Sequence, residues 1–136
     1  GLLQRSDYVS VHCPLTEETR HLMSTDQFKL MKPTAYLINM ARGPIVDQAE
    51  LYQALVDKTI AGAALDVFEQ EPPPADEPIL KLDNVICTPH LSSWSAESFV
   101  QLRREVVQNI VVALQGQNPR SIVNRKYLAS TNGQKV

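Results

Sequence analysis

The chain has 136 residues, 43% apolar and 21% charged, proportions that fit a folded globular protein and not a disordered one. Its formal net charge of −2 arises from interspersed signs with no basic stripe, so bulk electrostatic binding of nucleic acid or an anionic membrane is excluded. No apolar run approaches the ~20 residues that span a bilayer, and no signal peptide precedes the first element, so no membrane association is expected.

The run YVSVH (8–12) is β-branched and aromatic, and Pro14 ends it because proline cannot continue a central ladder. Cys13 follows; with Cys87 it makes two cysteines far apart in the sequence, which suits a reducing, cytoplasmic setting better than a disulfide scaffold. STDQFKLM (24–31) reads as a helix with Ser24 as N-cap and Gln27 completing a capping box, stopped by Pro33. AYLINM (35–40) is a second buried strand, running directly into Arg42 and Gly43. Asp47 and Glu50 make another capping box for a helix whose Leu51, Ala54 and Leu55 share one face.

IAGAALDV (60–67) is a third strand, and FEQEPPPADEP (68–78), with four of the nine prolines, is an ordered loop. NVICT (84–88) is the fourth strand, ended by Pro89. Ser95 caps the longest helix, 95 to 115, where Phe99, Leu102, Val106, Ile110 and Leu114 form an apolar stripe and Gly116 suits a left-handed C-terminal cap. The polar tail from Lys126 onward is expected to fray.

Four nearly continuous apolar strands separated by crossovers predict a parallel sheet covered on both faces, one half of a doubly wound α/β fold. In such sheets a ligand sits beyond the carboxyl ends of the strands. The residues following the strands are His12, Arg42, Asp66 with Glu69 and Glu71, and His90. An arginine at the end of an apolar strand calls for an anion, and its planar fork suits a carboxylate. Gly43 beside it allows a ligand or a neighbouring backbone to approach. An imidazole moves protons near neutral pH, and a carboxylate on its far nitrogen fixes the tautomer. The set suits a small acid bearing a carbonyl or hydroxyl next to its carboxylate.

The stretches VHCPLTEET (11–19), LINMARGPIVDQAELYQAL (37–55), IAGAALDVFEQEP (60–72) and NVICTPHLSSWSAES (84–98) resemble the D-isomer-specific 2-hydroxyacid dehydrogenases, in family order and spacing to about residue 124. The resemblance implies a Rossmann-like domain and hydride transfer, with NAD as cofactor, between a D-2-hydroxy acid and its 2-oxo acid. It implies that Arg42 binds the substrate carboxylate and carbonyl oxygen, that His90 is the acid/base, and that Glu71 holds and polarises His90. Glu69 is then a solvated residue. Asp66 would face the nicotinamide end of the cofactor, with His12, Cys13, Met40, Ala41, Arg42, His90, Ser92 and Ser93 lining that side. The parent would be a homo-oligomer, a dimer.

The family's G-x-G-x-x-G turn cannot be assembled from the five glycines, and the choice of NAD or NADP lies in the same missing unit. The chain therefore reads as a truncated second half of the cofactor domain over 1–117, with 118–136, including NPRSIVN, returning toward an absent substrate domain. An NAD-sensing, corepressor-like module and a catalytically inert fragment are the alternative readings. His12 with Cys13 and Cys87 with His90 are ligand types zinc accepts, but alternate strand residues point to opposite faces, so no metal is expected. Cys87 reads as a buried small residue, Tyr36 and Tyr52 as core or half-core, and His21 as a solvated loop residue. Trp94 reads either as part of a substrate pocket or as packing at the helix start.

Overall fold

Helix α1 (Leu2–Arg5), strand β1 (Tyr8–Val11), helix α2 (Thr25–Leu30), strand β2 (Tyr36–Asn39), helix α3 (Gln48–Val56), strand β3 (Gly62–Leu65), strand β4 (Val85–Cys87) and helix α4 (Ala96–Leu114) follow one another in chain order. The structure is a computed structural model and describes residues 1–125; the polar tail from Lys126 lies outside them. Short 3₁₀ turns occupy Gly43–Ile45 and Pro78–Lys81. The chain divides into two units, Gly1–Ser92 and Ser93 onward.

In the first unit the four strands lie in the order β1-β2-β3-β4 and pair in parallel. Register aligns Val11 with Asn39 and Asn39 with Leu65, so the carboxyl ends of these strands form one rim. Leu37, Leu51, Leu55, Ile45 and Phe28 are buried together with Val9, Val11 and Leu65 on the face that α2 and α3 cover. The opposite face, carrying Tyr8, Tyr36 and Ile86, is exposed within this unit. The expected two-sided covering is therefore one-sided here. Right-handed crossovers between strands laid down in sequential order return every connecting helix to the same face. Tyr36 is accordingly exposed and stacks on Tyr8 at 5.8 Å between ring centroids.

Helix starts follow the capping chemistry. Ser24 and its capping box with Gln27 open α2, as the sequence indicates. Asp47 opens α3 by accepting the Glu50 N–H at 3.2 Å. The reciprocal half of that box is absent because the Asp47 N–H donates to the Met23 carbonyl at 2.9 Å. The Glu50 carboxylate instead takes the Thr25 hydroxyl of α2.

The second unit, taken by itself, is α4 and a short continuation. Ser95 caps the helix by accepting the Ser98 N–H at 3.0 Å, and Gly116 takes φ +72 just beyond its end. Trp94 lies 5.3 Å from Phe99 between ring centroids, so it packs at the helix start.

Candidate active site at the carboxyl rim of the sheet

The chain leaves β3 through Asp66, one of two buried polar residues among the described residues, the other being Asn39 at the end of β2. Each organises a turn. The Asn39 amide accepts the Ala41 N–H at 3.1 Å and donates to the Arg42 carbonyl at 3.0 Å, which closes the turn that presents Arg42. A polar side chain in a buried strand has to be paired, and here the pairing shapes the turn. Gly43 follows because a Cβ at that position would lie 1.8 Å from the Phe68 carbonyl oxygen. The close approach at Gly43 is thus by a neighbouring backbone, that of the loop leading to Glu71.

Asp66 does for His90 what Asn39 does for Arg42. One carboxylate oxygen accepts the Thr88 hydroxyl at 2.5 Å and the Leu91 N–H at 2.8 Å, and the other accepts the Ser92 N–H at 2.8 Å. These donors bracket His90, whose own N–H donates to the Asp66 carbonyl at 2.9 Å and whose backbone is left-handed, φ +55. Burial would raise the Asp66 carboxyl, but the hydrogen bonds from Ser92, Thr88 and Leu91 outweigh it and hold it well below the usual carboxylate range.

Between the two turns stands the ring of His90, with Nδ1 2.8 Å from Glu71 Oε2. The other Glu71 oxygen accepts the Phe68 N–H at 3.0 Å. Burial opposes ionisation of Glu71, but the hydrogen bonds from His90 and Phe68, with the positive charges of His90 and Arg42, hold its carboxyl below the ordinary value. The pair leaves Nε2 as the ring atom free to meet a ligand. Arg42 is exposed, donates from Nη1 to its neighbour Ala41 at 2.7 Å, and makes no salt bridge among the described residues. A cavity of about 350 Å³ opens beside the pair, walled by Phe68, Pro72, Leu80 and Cys87, a size that admits a small organic ligand.

His12 is exposed and bonds through Nε2 to Ser10 Oγ on its own strand at 2.7 Å. Cys13 packs part-buried against the core, whereas Cys87 is exposed and not buried as expected. Met40 is exposed and Ala41 part-buried at the Arg42 turn. Ser92 serves through its backbone N–H, and in the second unit the Ser93 carbonyl accepts the Ser98 hydroxyl at 2.8 Å. Among the described residues His12, Cys13, Cys87 and His90 do not gather as a ligand set. Sequence reasoning missed Asn39 and Thr88, although a lone asparagine closing an apolar run was a signal for the first. His21 and Glu69 are exposed, as the sequence reading had them, and lie 2.8 Å from each other.

The chain matches, over residues 1–92, the family described as "D-isomer specific 2-hydroxyacid dehydrogenase, NAD binding domain". A glyoxylate reductase of Thermofilum pendens is 48% identical over 127 residues, covering 93% of this chain and 38% of that relative. The structure of D-lactate dehydrogenase with NAD+ from Lactobacillus jensenii superposes with a TM-score of 0.83 at 31% identity, over 90% of this chain and 41% of that one. A D-isomer specific 2-hydroxyacid dehydrogenase from Xanthobacter autotrophicus Py2, in complex with NADPH and MES, gives a TM-score of 0.75 at 40% identity, over 92% and 51% of the two chains. The chain thus spans about two fifths of the length of the curated relatives it matches.

Proposed function

Because the chain belongs to the D-isomer specific 2-hydroxyacid dehydrogenase family through its NAD-binding domain, we propose that the protein carrying it interconverts a D-2-hydroxy acid and its 2-oxo acid. A nicotinamide cofactor, NAD or NADP, would when bound supply or accept the hydride. The observation that carries the reading is the His90–Glu71 pair at 2.8 Å, with the Arg42 charge close enough to favour ionised Glu71.

In the direction of reduction, the Arg42 guanidinium binds the substrate carboxylate and polarises the adjacent carbonyl. His90 donates a proton from Nε2 to the carbonyl oxygen, while Glu71 on Nδ1 orients the ring. In the direction of oxidation, the same nitrogen takes the hydroxyl proton. The exposed Met40, Ala41 at the Arg42 turn and the backbone beside Ser92 fit the nicotinamide side, together with His12, Cys13 and Asp66. The pyrophosphate cradle is not supplied by these residues, since the five glycines form no G-x-G-x-x-G turn.

The names of relatives such as the Thermofilum pendens glyoxylate reductase point first to glyoxylate or hydroxypyruvate as the oxo acid. A homo-oligomeric whole protein belongs to the same reading, as does a cytoplasmic setting, which the two free thiols support. No helix among the described residues is long and apolar enough to cross a membrane. The test is loss of NADH or NADPH absorbance when the full-length protein meets each oxo acid, and the reverse reaction with the separate D and L hydroxy acids. Saturable turnover confined to the D series supports the proposal. Turnover of neither, or of the L series alone, contradicts it.

A further inference from the structure

The turn around His21 lies apart from the dyad, yet the segments that carry Arg42 and Glu71 both come to it. The His21 backbone is left-handed, φ +51, a conformation that residues with a side chain adopt rarely. Its N–H donates to the Pro44 carbonyl at 2.9 Å, and Met23 donates to the Ile45 carbonyl at 3.1 Å, which straps the turn to the residues following Arg42. The ring then reaches in two directions. Nδ1 lies 3.4 Å from Asp47 Oδ2, at the start of α3, and Nε2 lies 2.8 Å from Glu69 Oε1, two residues before Glu71. Glu69 is also tied to α3: its N–H donates to Gln48 Oε1 at 3.2 Å and its carboxylate accepts the Gln48 N–H at 3.3 Å.

A neutral imidazole has one N–H and can donate to one carboxylate only, whereas the cation donates to both. Asp47 from α3 and Glu69 from the loop are the charged groups within ion-pairing distance of the ring among the described residues. One ligand atom from each of His21, Asp47 and Glu69 lies within 4.8 Å of the others, and the two ring nitrogens face different carboxylates, at 3.4 Å and 2.8 Å.

We propose that His21 is a positioning residue for the His90–Glu71 pair: its ring, placed between Asp47 and Glu69, holds the loop carrying Glu71 in register with the turn carrying Arg42. The consequence for turnover rests on the function proposed above. The bridge is solvent-accessible, and such pairs contribute little to stability; its effect lies in the alignment of Glu71, because small displacements at a catalytic pair cost rate steeply.

The test uses the full-length protein with His21→Asn, which tolerates a left-handed backbone but cannot span the carboxylates, and His21→Arg, a permanent cation with donors for both. His21→Asn is expected to lower kcat about tenfold, to leave NADH affinity and melting temperature nearly unchanged, and to speed hydrogen exchange at the Phe68 amide that Glu71 holds. His21→Arg is expected to restore most of both losses. If His21→Asn fails to fold, Glu69→Gln at the other end of the bridge gives the same readouts. Wild-type kcat and wild-type Phe68 protection in a folded variant would overturn the proposal, as would stoichiometric zinc binding that His21→Asn abolishes. If the wild-type protein reduces no oxo acid, the functional reading fails separately, and Phe68 exchange still decides whether the bridge positions the loop.

Discussion

Three side chains share the rim: Arg42 carries a charge, His90 carries an imidazole paired with Glu71, and Asp66 fixes the backbone around His90. The Asp66 role has a pH signature. Its carboxyl is held well below the usual range by donors that outweigh its burial, so the stabilisation is complete above the unfolded value of about 3.9 and is lost as pH falls toward the depressed folded value. Asp66→Asn should therefore lower stability by roughly 2–4 kcal/mol at about pH 7, because donors from Thr88, Leu91 and Ser92 lose an ionic acceptor. The gap to wild type should narrow as the medium is taken to about pH 3. Urea titrations at both pH values read this directly, and a gap that widens in acid would contradict the assignment. The residue type at Asp66 was legible in the sequence as something functional at a strand end. Its partners were not, because Leu91 and Ser92 donate through backbone N–H groups that only the returning turn brings back to β3.

At the scale of elements, the proposed site depends on two turns locked together. The Arg42 turn is closed by Asn39, and the Glu71 loop lies so close against Gly43 that no side chain fits between them. Gly43 has no positive φ among the described glycines, unlike Gly116, so its requirement is steric and not conformational. Gly43→Ala should displace the 68–71 loop, cost about 1–3 kcal/mol, and reduce turnover more than Gly116→Ala, whose Cβ would meet nothing within 4 Å. Parallel measurement of melting temperature and kcat for the two variants checks this; an unimpaired Gly43→Ala enzyme would contradict it. The strands and the caps Ser24, Asp47 and Ser95 were readable from apolar runs and local spacing, since those signals are contained within a few residues. The failed half of the Asp47–Glu50 box was not, because Met23 and Thr25 reach those groups from another element. His21 and Glu69 are exposed, as read, but their approach to each other was not legible for the same reason. Each is an ordinary polar loop residue until the fold sets them face to face.

At the scale of the molecule, the chain holds the His90–Glu71 pair and Arg42, and it spans about two fifths of its curated relatives. The exposed sheet face of the first unit carries Tyr8 at 68% and Ile86 at 70% accessibility, apolar surface of the kind that binds another surface. Under the proposed function His90, held by Glu71, moves the proton. The most direct measurement is kcat beside NADH affinity for wild type and His90→Gln in the full-length protein. A fall in kcat of about 10²–10⁴ with NADH affinity nearly unchanged is the expected result. Retained turnover, or parallel loss of turnover and NADH binding, would show that His90 supports the fold and not the chemistry.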